Sequence, residues 1–130
     1  MIKEKAMKYY SEDDYNCAEA VILGTRDALG LQFPEESFKL FSGFGGGMCA
    51  GKTCGAIAAA VAIRGYLSVG DKAHATEAFK ETVAILTERL EEAFGSLNCD
   101  DIRPRMHTEE EGCLLTVEKV CEILDQFYEI

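Results

Sequence analysis

Four of the six cysteines stand where a helix is expected to begin. They are Cys17 in Asp14-Tyr15-Asn16-Cys17-Ala18, Cys54 in Lys52-Thr53-Cys54-Gly55-Ala56, Cys99 in Ser96-Leu97-Asn98-Cys99-Asp100, and Cys113 in Glu110-Glu111-Gly112-Cys113-Leu114. A helix N-terminus carries unpaired N–H groups and a partial positive charge. Both favour a thiolate, which is the nucleophilic and metal-ligating form of cysteine. The pattern points to a thiol site assembled from distant segments. Its thiols would serve as catalytic redox pairs or as metal ligands.

Cysteine is also a small buried hydrophobe. That plain reading suits Cys121, which lies mid-helix on an apolar stripe. Cys49 sits five residues before Cys54 in a glycine-rich stretch, where it would serve as a resolving thiol or an extra ligand. The chain has no C-x₂-C pair, so neither a zinc ribbon nor a ferredoxin run is present. Spacing alone therefore supports four separated thiols and no particular metal.

The elements that must position these residues all read as helices. A first helix covers Ile2 to Tyr10. Asp13 or Asp14 caps a second that runs to Leu29 and stops at Gly30. Its inward positions Cys17, Ala20, Val21, Gly24 and Ala28 are small, so another helix can approach closely. Pro34 opens a third helix, Glu35 to Phe41. Thr53 caps the next, which is apolar on every side from Cys54 to Ile63 and therefore central. Phe79, Val83, Leu86, Leu90 and Phe94 form the stripe of a long helix from Lys72, stopped by Gly95. A short turn covers Cys99 to Ile102 and ends at Pro104. Arg103 to Gly112 reads as a polar loop, and the last helix runs from Cys113 towards Tyr128. The expected fold is all-α: one domain over residues 1–130, a bundle of five or six helices with a Gly-rich loop before a buried central helix.

That loop, Ser42 to Thr53, has five glycines between Gly43 and Gly51. Such a composition needs unusual backbone dihedrals or a close approach. Gly46-Gly47-Met48-Cys49-Ala50-Gly51-Lys52-Thr53 also satisfies the phosphate-loop pattern G-x-x-x-x-G-K-[ST]. That motif needs a buried strand before it, and Ser37 to Phe41 reads as helix instead. The alternative function is thus a non-catalytic anion- or nucleotide-binding module, with Gly45, Gly46, Gly47 and Lys52 holding the ligand. His74 and His107 read as solvated surface residues. Glu109 to Glu111 read as a solvated lead into the last helix. Arg64 either pairs with a carboxylate or faces the thiolates.

Composition sets the outer bounds. At 130 residues the chain can bury a core without disulfides. A net charge of −10 argues against nucleic acid and against an anionic membrane surface. The N-terminus Met1-Ile2-Lys3-Glu4-Lys5 lacks the apolar run of a signal peptide. A cytoplasmic location is the expectation. In a reducing compartment, cysteines read as metal-binding or redox-active. The small-residue helix faces would serve a homodimer as readily as a core.

These residues resemble a family of redox-active proteins named for a C…GCAxxG…C…C pattern. The resemblance rests on Tyr15-Asn16-Cys17-Ala18, Ser42-Gly43-Phe44-Gly45-Gly46-Gly47-Met48, Cys54-Gly55-Ala56, Phe94-Gly95-Ser96-Leu97-Asn98-Cys99 and Gly112-Cys113. It implies a small helical domain whose four characteristic cysteines fall on Cys17, Cys54, Cys99 and Cys113. It further implies a redox role with a redox partner protein, and an iron–sulfur cluster as the candidate cofactor. A similar domain in a split-Soret type cytochrome is joined to haem-binding segments; this chain has no C-x-x-C-H motif, so haem is not expected. The named stretch departs from the pattern, reading Cys54-Gly55-Ala56-Ile57-Ala58-Ala59, with cysteine before glycine and Ala59 where a glycine is named. Cys49 and Cys121 are additional, and Cys49 leaves a local disulfide with Cys54 open.

Overall fold

A computed structural model describes residues 1–129. The helices are α1 (Ile2–Ser11), α2 (Cys17–Leu29), α3 (Gly55–Ser68), α4 (Phe79–Phe94), α5 (Cys99–Met106) and α6 (Leu114–Phe127). A ten-residue 3₁₀ segment, Glu35–Phe44, makes a seventh helix, slightly more than the five or six expected. Among the described residues there is no β-strand. The fold is all-α.

Helix α2 is the hub. It packs against α1, α3, α6 and the 3₁₀ segment. Its start is Asn16, whose side chain accepts from the Glu19 N–H while the Glu19 carboxylate accepts from the Asn16 N–H. This reciprocal capping box satisfies two otherwise unpaired donors. Neither Asp13 nor Asp14 is the cap; Asp14 instead takes a left-handed φ of 61° in the preceding turn. Gly24 lets α1 come close, because a Cβ there would stand 2.6 Å from the Ala6 backbone nitrogen. Gly30 ends the helix in the left-handed conformation, as expected.

The other end of α1 is held by α6. The Asp125 carboxylate accepts from the backbone N–H groups of Ile2 and Lys3, at 2.9 and 3.3 Å. This side chain from a distant helix takes up donors that the first turn cannot pair internally. α3 is buried at Gly55, Ala56, Ile57, Ala59, Ala60 and Ile63, which gives the central helix that its apolar composition implies.

Five boundaries differ from expectation. The central helix, expected to end at Ile63, runs on to Ser68 and takes in Arg64. The helix expected from Lys72 begins at Phe79, because Ala78 takes a left-handed φ of 58° and breaks the chain from the turn at Ala73–Ala75. Leu86, Leu90 and Phe94 then form its buried stripe. Pro104 does not end α5, which runs on to Met106. A proline removes one N–H bond, and the turn after it is held by the His107 N–H donating to Arg103 and by the Arg105 guanidinium on the Phe94 carbonyl. The polar loop after α5 is correspondingly shorter, a turn closed by reciprocal backbone bonds between Thr108 and Gly112. The segment after Pro34 is 3₁₀ rather than α and runs to Phe44.

The glycine-rich stretch is not an open loop. Ser42 to Phe44 finish the 3₁₀ segment, and Gly47–Gly51 form one wide turn. Gly46, Gly47, Met48, Cys49 and Gly51 all take positive φ.

Candidate functional site

The structure places all four singled-out cysteines at helix starts. Cys17 and Cys99 are the first residues of α2 and α5, and Cys54 and Cys113 are the N-caps of α3 and α6. Thr53, expected to cap α3, lies one residue before the Cys54 cap. The four thiols border one small cavity of about 20 Å³, together with Gly46, Gly55, Ile102, Arg103 and Thr116. Cys17 and Cys54 are buried, at 8% and 4% exposure; Cys99 and Cys113 are half-buried. Cys121 is fully buried in the core, as its stripe position implies.

Backbone pairing brings the four starts together. The Cys54 N–H donates to the Leu97 carbonyl at 2.8 Å, and the Cys99 N–H donates to the Lys52 carbonyl at 2.6 Å. This antiparallel clasp around Thr53 and Asn98 ties the start of α3 to the start of α5. Glycines allow the remaining approaches. A Cβ on Gly47 would stand 2.7 Å from the Cβ of Cys99. One on Gly55 would stand 2.9 Å from the Cys17 sulfur and 2.6 Å from the Phe44 carbonyl. The glycine-rich turn thus packs against Cys99, while Gly55 opens space for Cys17.

Electrostatics run against the simple dipole expectation. Burial, and next the nearby Cys54, push the Cys17 thiol up to about 12, although the N–H groups of Gly46 and Ala56 favour its thiolate. Burial also raises Cys54, against the N–H groups of Ile57 and Ala56. Cys113 is raised by burial and then by Cys99, with Arg103 and Tyr10 acting the other way. Helix starts supply N–H donors to sulfur, but desolvation of a charge and repulsion between thiolates outweigh them. With protein groups alone around them, Cys17, Cys54 and Cys113 keep their protons at neutral pH.

All six cysteines are free, and no pair stands at disulfide distance among the described residues. The local Cys49–Cys54 bridge is therefore not formed. Nor do three or more Cys, His, Asp or Glu side chains, among the described residues, gather into a ready-made set around a single ion. Cys49 is exposed, with a φ of 57°.

Residues chosen for the phosphate-loop reading do not form such a loop. A 3₁₀ helix precedes them where a strand is required, and Lys52 is exposed and does not line the thiol cavity. Among the described residues Arg64 pairs with no carboxylate, and it does not line the thiol cavity. It stacks over Phe127 and Tyr128 and donates to Ser68. His74 is exposed as expected, but His107 is half-buried and lines a wide cleft beside the thiols.

Two residues of the site escaped the sequence reading. Arg103 lies one turn beyond Cys99 on α5 and lines the thiol cavity. The i, i+4 spacing from Cys99 was the available signal. Tyr10 reaches from α1, and its hydroxyl accepts from the Cys113 N–H at 2.8 Å. Nothing local in the sequence marks that partner, which lies 103 residues away.

Helices that converge four cysteine-bearing starts on one cavity define an all-α, cysteine-centred domain. Residues 15–127 match the family described as "Putative redox-active protein (C_GCAxxG_C_C)", and the chain belongs to it. No curated protein and no solved structure matches the chain significantly.

Proposed function

We propose that the protein is an electron-transfer protein in which Cys17, Cys54, Cys99 and Cys113 hold an iron–sulfur cluster. The observation that carries this reading is the convergence of four thiols, from four helix starts, on one cavity. Four soft thiolate donors are the usual ligand set of such clusters. The electrostatics support it as well. Cys17, Cys54 and Cys113 resist ionisation, and a bound cationic centre supplies the charge that would let them lose their protons. N–H groups of Gly46, Ala56 and Ile57 directed at sulfur are the kind of contact that tunes a cluster's potential. When bound, the cluster would supply reversible one-electron chemistry. The chain supplies the ligands, their N–H partners and the apolar wall of Ile102.

The second reading is a thiol–disulfide cycle. Its support is the wide cleft that borders Cys17, Cys99 and Cys113 and opens to solvent. It requires backbone movement to bring any two sulfurs into bonding range.

Anaerobic purification followed by iron and acid-labile sulfide assays separates the two. Iron and sulfide that disappear in each of the Cys17→Ser, Cys54→Ser, Cys99→Ser and Cys113→Ser variants, but persist in Cys121→Ala, are expected. Metal-free protein whose thiols oxidise in pairs supports the second reading. Metal-free protein with thiols inert to oxidants and alkylating agents sinks both.

A further inference from the structure

The cleft beside the thiols carries charges that the redox reading leaves unused. It encloses about 670 Å³, and Cys17, Cys99 and Cys113 form part of its wall. That volume falls in the usual range of small-molecule sites. Arg103 stands in the wall on α5, exposed and without an ion-pair partner among the described residues. Its planar guanidinium is suited to bidentate capture of a carboxylate. Two other segments of the wall contribute carboxylates. Asp14 comes from the turn before α2, and Glu110 and Glu111 from the turn before α6. None of the three lies within ion-pairing distance of Arg103, so the cleft presents separated charges of opposite sign rather than a neutralised pair. The Asn16 and Ser42 side chains add polar lining, and the sulfurs add a soft one.

We propose that this cleft binds a small zwitterionic thiol, an amino acid or short peptide bearing sulfur, with its carboxylate on Arg103 and its ammonium among Asp14, Glu110 and Glu111. A ligand anchored at both charges can turn a sulfur-bearing side chain toward the cysteine wall, where a sulfur is the matching chemistry. The assignment stands on the cleft and its charges, and it holds whether or not the four thiols carry a cluster.

Calorimetric titration of the full-length protein under anaerobic, reducing conditions tests it, before and after treatment with a chelator. The probes are L-cysteine, cysteamine (no carboxylate), 3-mercaptopropionate (no ammonium) and L-serine (no sulfur). L-cysteine is expected to bind about tenfold more tightly than each of the other three. Arg103→Gln should weaken L-cysteine about tenfold and leave cysteamine nearly unchanged. The double variant Glu110→Gln, Glu111→Gln should weaken L-cysteine and leave 3-mercaptopropionate nearly unchanged. Arg103 is exposed, so its variant should keep the wild-type circular dichroism spectrum; the four-probe comparison on unaltered protein decides the matter independently. No binding of L-cysteine at about 10 mM overturns the proposal. So does equal binding of any of the three comparison probes, or an Arg103→Gln protein that binds L-cysteine unchanged.

Discussion

The hydroxyl of Tyr10 accepts a hydrogen bond from the backbone N–H of Cys113 at 2.8 Å. This one contact makes α1, which carries no cysteine, part of the thiol site. α1 is itself fixed at its other end by the Asp125 carboxylate of α6. The two helices are therefore tied at both ends, and Cys113 is one of the two ties. Gly112 fits the arrangement because it takes a left-handed φ of 59°, and a Cβ there would stand 2.6 Å from the Tyr10 hydroxyl.

Two substitutions test that anchor. Tyr10→Phe keeps the ring and removes the acceptor, which leaves a half-buried N–H unpaired at a cost of about 1–2 kcal/mol. Gly112→Ala adds both a strained left-handed alanine and a clash with the Tyr10 hydroxyl, so it should cost more than Tyr10→Phe. Urea midpoints of the two variants measure the order. Equal midpoints with wild type would remove Tyr10 from the site.

Two glycines of the same helix should respond in opposite directions to alanine. Gly55 meets the Phe44 carbonyl and the Cys17 sulfur, whereas the nearest atom to a Cβ on Gly65 is the tip of the Phe79 ring at 3.9 Å. Gly55→Ala pushes the 3₁₀ segment and Cys17 apart, with a loss of about 1–3 kcal/mol by overpacking. Gly65→Ala sits in open helix interior and should stabilise by about 0.5–1 kcal/mol through its higher helix propensity. Thermal melts of both proteins settle the signs.

Much of this architecture was legible because it rests on local signals. Gly30 and Gly95 stop helices by adopting left-handed φ, and the stripe Leu86, Leu90 and Phe94 repeats at helical spacing. The four cysteines were legible as helix starts for the same reason. What stayed hidden depends on tertiary contact. The Asn16 cap is only partly of this kind: Glu19, three residues on, is a local capping-box signal, whereas the Ser42 carbonyl that accepts from its amide is tertiary. Pro104 stays inside α5 because the turn around it is held from α4. The raised thiols of Cys17 and Cys54 follow from burial, which no dipole argument on an isolated helix contains.

Asn16 therefore carries a prediction of its own. Its side chain accepts from Glu19 at 2.9 Å and donates to the Ser42 carbonyl at 2.9 Å, one residue before Cys17. Asn16→Ala should cost about 1–2 kcal/mol through the lost cap. It also removes the Asn16–Ser42 bond between the start of α2 and the 3₁₀ segment, leaving the bond from the Ser42 hydroxyl to Glu19. The cleft beside Cys17 should then admit iodoacetamide faster, as read by mass spectrometry of the alkylated peptide. Unchanged midpoint and unchanged alkylation would mean that the cap bonds are not formed in solution.

The thiols predict a pH dependence whose sign reverses with metal. An unfolded cysteine ionises near about 8.5, whereas folded Cys17 holds its proton up to about 12 and Cys54 is raised in the same direction. Above the unfolded value the native state binds more protons than the unfolded state, so stability falls as pH rises. The contribution is fully present below about pH 8.5, and Cys17 alone gives a slope of up to about 1.4 kcal/mol per pH unit above it. Tyr9, also raised to about 12 by its bond to Asp27, begins to act only above the ordinary tyrosine value of about 10. The window between about pH 8.5 and pH 10 therefore reports the cysteines. Buried Cys121 contributes with the same sign, so the measurement is made in a Cys121→Ala background. In metal-free protein, urea midpoints should fall across this window, and Cys17→Ser should flatten the slope. Metal binding consumes thiolates and releases protons, so affinity for a metal centre should instead rise with pH. A metal-free protein whose stability is flat across the window would mean that the thiols are not buried together as described.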